Sequence, residues 1–304
     1  MPDTTSPVLA DLSDALAAAV ERAGASTVLV NARRRLPASG VIWSADGVIV
    51  TSDHAIERDD NISVTLADGR ELKATIAGRD AGSDIAVLKV DASGLVAAER
   101  LGEGAAKVGH IVLAIGRPSP EGAMASFGVI GAIGGAWRTF RGSQVEGYIR
   151  TDTTFYPGFS GGPLIDARGR VVGINSSTLG RGAGLTLPAA AVEKVVADLL
   201  KGGRVKRAYL GISSQTAHLP AAMAAKADGQ ETGLLVVMVE PGSPAEAAGL
   251  LMGDILINLA GTTVADTDSL QALLTAGLIG NATPAVVLRG GERRELSITV
   301  AERK

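Results

Sequence analysis

The sequence predicts a β-rich antiparallel sandwich or barrel followed by a compact α+β domain, and three observations carry that prediction. Of 304 residues, 39 are glycine, well above the usual share of roughly 7%, and glycine takes φ > 0 in tight turns without a steric penalty. Between Ser26 and about Leu187 the chain breaks into short β-branched segments, roughly 8–15 residues apart, punctuated by Asp-Gly and Arg-Gly turns. One helical stretch follows, and then a second set of strands mixed with short helices. The length agrees, since about 150 residues per domain gives two.

Taken in order, MPDTTSPVLADLSDALAAAVERAGAS places Leu9, Leu12, Leu16 and Val20 at helical spacing. Residues 1–25 therefore read as an amphipathic N-terminal helix or arm. No basic region precedes an apolar run there, so the segment is not a signal peptide. No apolar stretch reaches the ~18 residues that span a membrane. With Met1 as the native start, a cytoplasmic protein is expected; a trimmed mature form would instead belong to the periplasm or cell envelope.

Residues 26–200 carry the strands STVLVNA, GVIVTS, ISVTLADGRELKATIAG, IAVLKV, HIVLAIG, RVVGINS and AGLTLP, with LADGRE as a hairpin signal. PAAAVEKVVADLLKGG closes this domain as a helix: Val192, Val195, Val196 and Leu199 share a face, and Gly202-Gly203 ends it. Residues 201–206 are a linker. Residues 207–304 form the second domain, with strands GLLVVMVE, DILINLAG, PAVVLRG and RELSITVAE and short helices at SPAEAAGL and TDSLQALLTAG.

Composition removes several function classes. The net charge is −3 with 20% charged residues, so the basic face of a nucleic-acid binder is not expected. Arg33-Arg34-Arg35 reads as a solvated stretch. There is no cysteine, which rules out disulfides, thiolate metal sites and cysteine nucleophiles. No metal or nucleotide motif appears, and no cofactor is expected.

The chemistry concentrates in TDTTFYPGFSGGPLID, residues 151–166. Only 3% of the chain is aromatic, yet Phe155, Tyr156 and Phe159 crowd against Ser160 in a glycine-rich turn. Gly158-Phe159-Ser160-Gly161-Gly162 fits both the G-x-S-x-G nucleophile elbow and the G-x-S-G-G turn of trypsin-like proteases. An elbow needs its Asp and His after the serine; the trypsin-like order is His, Asp, Ser. Only His218 follows Ser160, in what reads as a polar linker. Upstream, VTSDHAI offers His54 just after a strand and GSDIAVLKV offers Asp84 leading into another. The β-rich surroundings also speak against the elbow.

The chemical demand explains the pattern. A serine hydroxyl needs an imidazole to take its proton, and a carboxylate to fix that imidazole's tautomer. Two backbone N–H groups must then meet the oxyanion. Gly158 permits the twist that turns the N–H groups of Gly158 and Ser160 the same way, and Gly161 and Gly162 let chain pack closely behind the nucleophile.

Together, VTSDHAI, ADGRELKATIAGRDAGSDIAVLKVDA, VLAIGRP, IRTDTTFYPGFSGGPLIDARGRVVGINSS and KGGRVKRAYLGI resemble the HtrA (Deg) family of serine proteases over about residues 26–304. The resemblance implies a mainly β fold, a trypsin-like double β-barrel over 26–200 and a PDZ domain over 207–304. It assigns His54 as general base, Asp84 as its orienting carboxylate, Ser160 as nucleophile, and the N–H groups of Gly158 and Ser160 as the oxyanion hole. It implies an endopeptidase for unfolded or damaged protein and a homotrimer. The family usually reads N-P-G-N-S-G-G, whereas this chain has Tyr156 and Phe159 at the asparagine positions. Those aromatics either line or plug the substrate pocket or stabilise the turn by packing. The altered turn also raises a rival, a catalytically silent peptide-binding or chaperone-like scaffold. In this fold the specificity pocket is walled by 153–157 and 174–180, which hold no acid, so an apolar P1 residue of small or medium size is expected. The loop 177–184 is glycine-rich and reads as mobile.

AYLGI, then VEPGSPAEAAGLLMGDILINLAGTTV and a helix near Thr267, resemble a PDZ domain. Such domains take a peptide C-terminus as an added strand and hold its carboxylate on loop N–H groups. The resemblance puts Leu210, Gly211 and Ile212 at that loop.

Overall fold

The computed structural model describes residues 7–139, 144–180, 184–203, 208–274 and 276–302. Residues 1–6 of the expected arm, 181–183 of the glycine-rich loop and 204–206 of the expected linker lie outside the described residues. The chain divides into two compact units, Met1–Val205 and Lys206–Lys304.

Helix α1 (Pro7–Ser26) opens the first unit. Only its C-terminal half is packed, through Ala19 and Ala23 with Leu16 and Val20 beside them, while Leu9 and Leu12 of the expected apolar face are exposed. Small alanines let this half lie close to the body.

Strands β1 (Thr27–Asn31), β2 (Ala38–Ser44), β3 (Val48–Ser52), β4 (Ile62–Thr65), β5 (Glu71–Asp80) and β6 (Ile85–Val90) close into a barrel in the order β1-β2-β3-β6-β5-β4. The apolar runs of β3 and β6 do not alternate with polar residues because both faces are buried. Ile49, Ala86 and Leu88 point into the barrel, whereas Val48, Val50, Ile85 and Val87 point into a second core outside it. The period of two divides each strand between two cores.

Strands β7 (Ile111–Ser119) and β8 (Gly122–Gly134) come next, then a short ribbon of β9 (Trp137–Arg138) and β10 (Gln144–Val145). With β11 (Tyr148–Thr151), β12 (Pro163–Asp166), β13 (Val171–Ser176) and β14 (Leu185–Pro188), β7 and β8 form a second closed barrel, ordered β11-β14-β13-β12-β7-β8. Closure leaves neither barrel with an open sheet edge. Leu113, Ile115, Ile165 and Ile174 of the second barrel meet Val41, Val50 and Val87 of the first in a shared core. Helix α2 (Ala189–Gly202) adds Val192, Val196 and Leu199 to that core and stops at Gly203, whose N–H returns to the Leu199 carbonyl.

The second unit is β15 (Ala208–Tyr209), β16 (Ile212–His218), α3 (Ala221–Ala224), β17 (Thr232–Val239), α4 (Pro244–Ala247), β18 (Ile255–Leu259), β19 (Thr262–Thr263), α5 (Thr267–Leu273), β20 (Ala282–Arg289), β21 (Glu292–Thr299) and β22 (Ala301–Glu302). Its sheet runs β16-β17-β18-β20-β21, which leaves β16 at an edge. His218, read from sequence as part of a polar linker, is instead the last residue of β16, where it pairs with Thr232. Period-two alternation through the polar run Ser213–Gln215 is hidden because that strand is largely exposed.

Candidate active site

Strand β3 ends at Ser52, and a single 3₁₀ turn, Asp53–Ala55, carries His54. Asp84 sits immediately before β6 in a left-handed conformation, φ 57°. Because β3 and β6 are neighbours, with Ser52 paired to Ile85, the two residues meet. His54 Nδ1 lies 2.8 Å from Asp84 Oδ2 and 2.9 Å from Oδ1, and the His54 backbone N–H donates to Oδ1 at 2.9 Å. A carboxylate on Nδ1 leaves Nε2 as the free acceptor, the tautomer a general base requires.

Asp84 is held from the second barrel as well. The Ser176 hydroxyl at the end of β13 donates to Oδ2, and Thr178 Oγ1 donates to the same oxygen at 3.1 Å. Burial pushes the Asp84 carboxyl up, but the hydrogen bond and charge of His54 together with the Ser176 hydroxyl outweigh it, and the net shift is downward. Asp84 is thereby kept ionised. Ser176 and Thr178 were not singled out from sequence; two hydroxyls flanking a strand end are a common pattern with no spacing of their own.

Ser160 follows a turn formed by Tyr156-Pro157-Gly158-Phe159, closed by the Phe159 N–H to the Tyr156 carbonyl at 3.0 Å. Proline second and a positive-φ glycine third, φ 88° at Gly158, are the requirements of a type II turn. Among the described residues, neither the Gly158 nor the Ser160 N–H donates a hydrogen bond, although both residues are buried. Unpaired buried N–H groups are rare unless a ligand is meant to meet them. Behind the serine, a Cβ on Gly161 would lie 2.3 Å from the Ser39 carbonyl oxygen and 2.8 Å from Ser52 N. Chain from the His54 barrel runs that close.

The Ser160 hydroxyl itself bonds Ser177 Oγ at 3.0 Å and the Ser177 N–H at 3.3 Å. Among the described residues no hydrogen bond joins it to His54. Thr178, the next residue, touches both Asp84 and His54 Nδ1, so residues 176–178 run along all three expected catalytic side chains.

The aromatics beside Ser160 divide between two settings. Phe159 is 0% exposed and packs in the second barrel with Ile130, Ile149 and Leu164, its ring filling the space left by Gly116. Tyr156 stands edge-on to it, ring centroids 5.4 Å apart, and is exposed. Phe155 covers Gly184. Of the two readings of Phe159, packing beneath the turn is the one that describes it.

In the second unit, Leu210, Gly211 and Ile212 line a groove between β16 and α5 with Tyr209, Met238, Leu270 and Leu274. Among the described residues the N–H groups of Leu210 and Gly211 have no acceptor, while their carbonyls accept from Ala245 and Glu240. No cluster of potential metal ligands occurs among the described residues.

Residues 38–174 match the family model of the trypsin-like peptidase domain, and residues 208–300 match that of the PDZ domain. The HtrA-type protease AlgW, solved with a decapeptide, superposes with TM-score 0.79 at 29% identity, over 95% of this chain and 99% of that one. The serine endoprotease from Yersinia pestis gives TM-score 0.79 at 31% identity, over 95% and 98%. A probable periplasmic serine endoprotease DegP-like protein of Halomonas elongata is 37% identical over 274 residues, 88% of this chain. The chain spans 57% of that relative's length.

Proposed function

The chain belongs to the HtrA-type serine proteases, a trypsin-like peptidase domain followed by a PDZ domain, and from that premise we propose that it is an endopeptidase acting through Ser160, His54 and Asp84. The observation that carries this reading is the His54–Asp84 pair, 2.8 Å apart, together with a serine turn whose two N–H groups have no acceptor among the described residues. Ser160 Oγ attacks the scissile carbonyl, His54 Nε2 takes its proton and later returns it to the leaving amine, and Asp84 stabilises the imidazolium between. The N–H groups of Gly158 and Ser160 receive the developing oxyanion, a contribution of about 10²–10³ in rate per donor in measured cases. For the Ser160 hydroxyl to give its proton to His54, Ser177 must be the donor in the Ser160–Ser177 hydrogen bond or the bond must be given up.

Unfolded or damaged proteins are the proposed substrates, and the groove at Leu210, Gly211 and Ile212 is the proposed site for a peptide C-terminus. AlgW was solved with bound peptide, which supports a peptide-binding role here. A homotrimer remains a proposal from family resemblance. The cytoplasmic expectation finds no support in the relatives, several of which are named periplasmic; the periplasm or cell envelope is the compartment we propose. Among the described residues no helix is long and apolar enough to cross a membrane.

Labelling with a fluorophosphonate, which reacts only with an activated serine, tests the proposal. Wild type should label and digest unfolded casein, and Ser160→Ala should do neither. A folded wild type that does neither would favour the silent scaffold, for which the Ser160–Ser177 bond in place of Ser160–His54 is the supporting observation.

A further inference from the structure

Arg117 is 7% exposed, and among the described residues no carboxylate pairs with it. Burying a guanidinium is costly unless its donors are met. Two of its nitrogens find carbonyls where helix α1 passes into β1: Nη2 donates to the Gly24 carbonyl in the last turn of the helix at 3.1 Å, and Nε donates to the carbonyl of Thr27, the first residue of β1, at 2.8 Å. The last carbonyls of a helix carry the negative end of its dipole, so the Gly24 carbonyl suits a cation that has no acid. The same residue's backbone N–H donates to Ser39 Oγ at 2.8 Å. With one lone pair so used, the Ser39 hydroxyl directs its proton to the Gly158 carbonyl, 2.7 Å away. Ser39 grips the turn a second time, its N–H donating to the Ser160 carbonyl at 3.2 Å. The residue after Arg117 presses on the turn from the other side, since a Cβ on Gly158 would lie 2.6 Å from Pro118 Cβ.

We propose that Arg117 is a positioning residue of the active site, through which the end of α1 holds the turn at Gly158–Ser160 that receives the oxyanion. Fixing the Gly158 and Ser160 carbonyls fixes the peptide plane that follows each of these residues. That limits the φ and ψ rotations by which the preceding planes, those carrying the Gly158 and Ser160 N–H groups, can turn away from the hole. Arg117 ties the strand that supplies this support to a helix packed on the barrel by only its last turns. The oxyanion turn is thereby coupled to α1, a segment remote from the chemistry. The inference rests on the serine-protease reading above.

The test uses the full-length chain. Arg117→Met keeps most of the volume and removes the fork and charge. It should lower kcat about tenfold, part of the 10²–10³ that a lost donor is worth, with KM within about twofold. A peptide boronate, whose tetrahedral adduct places an oxygen in the hole, should lose affinity by a similar factor, because it reports transition-state rather than ground-state binding. Ser39→Ala should have a comparable effect, and the double variant should be little worse than either single one, as expected of residues acting in one chain of contacts. If Arg117→Met does not fold, Arg117→Lys combined with Ser39→Ala carries the same cycle. Unchanged kcat and boronate affinity in an active wild-type background, or multiplicative effects of the two substitutions, would overturn the coupling while the protease reading stands. A wild type that neither hydrolyses peptide nor labels overturns both.

Discussion

Phe159 occupies the position beside the proposed nucleophile, yet its ring belongs to the barrel interior, wholly buried among Ile130, Ile149, Leu164 and Val172. Phe159→Ala should cost about 3–5 kcal/mol, the range for removing a buried aromatic, measured by denaturant unfolding. Phe159→Asn should be at least as damaging, because it adds an amide with no partner in that cluster. A loss below about 1 kcal/mol would mean that the turn, rather than the core, accommodates the ring. The effect on Asp84 has a definite sign. Its carboxyl lies below its ordinary value of 3.8, so its ionised form contributes stability above pH 3.8, and that contribution is lost as pH falls through the lower folded value. The stability gap between wild type and Asp84→Asn should therefore be full at neutral pH and close on acidification below about 3.8. A gap that persists to acid unfolding would refute it. His54, Asp84 and Ser160 could be put forward as a candidate set because chain order and flanking glycines are sequence properties, and the structure brings His54 and Asp84 together. Ser176, Ser177 and Thr178 could not, because only the fold brings the end of β13 to Asp84 of the other barrel and to the turn at Ser160, and so gives three ordinary hydroxyls their partners.

At the scale of elements, the strands could be read from β-branched runs and turn residues, but their allocation to cores could not. β3 and β6 look like uninterrupted apolar runs, and only barrel closure sends Ile49 and Leu88 one way and Val48 and Val87 the other. Helix α1 was legible from its spacing, but the exposure of Leu9 and Leu12 was not, because periodicity reports a face and not how much of it is covered. The turn before Ser160 is the element most strictly specified by its residues. At Gly158, φ is 88° and an added Cβ would meet Pro118 Cβ at 2.6 Å and the Pro37 carbonyl oxygen at 3.0 Å. Gly158→Ala must therefore shift the turn and misdirect one proposed oxyanion donor. The expected result is a fall in kcat of about 10²-fold with a melting temperature a few degrees below that of wild type, the cost of a Cβ at positive φ. A kcat within twofold would show that the Gly158 N–H is not in the hole.

Across the whole molecule, two units with separate cores carry separate proposed tasks, cleavage in the first and capture of chain ends in the second. In the second, β16 is an edge strand, and the N–H groups of Leu210 and Gly211, without an acceptor among the described residues, stand at the head of its groove. An added peptide strand would satisfy the edge, and its terminal carboxylate those N–H groups. Gly211 has φ 82°, and a Cβ there would lie 2.2 Å from Ser243 Cβ, so neither proline nor alanine fits without moving the loop. Binding is best measured by fluorescence anisotropy on the full chain carrying Ser160→Ala, which leaves the peptide intact. A peptide with a free apolar C-terminus should bind, and its amidated twin should bind roughly 10- to 150-fold more weakly, the equivalent of about 1.5–3 kcal/mol for hydrogen bonds to a charged group. Gly211→Pro should abolish the preference for the acid. Equal affinity for acid and amide would show that the groove does not read chain ends, leaving β16 as an edge for internal segments.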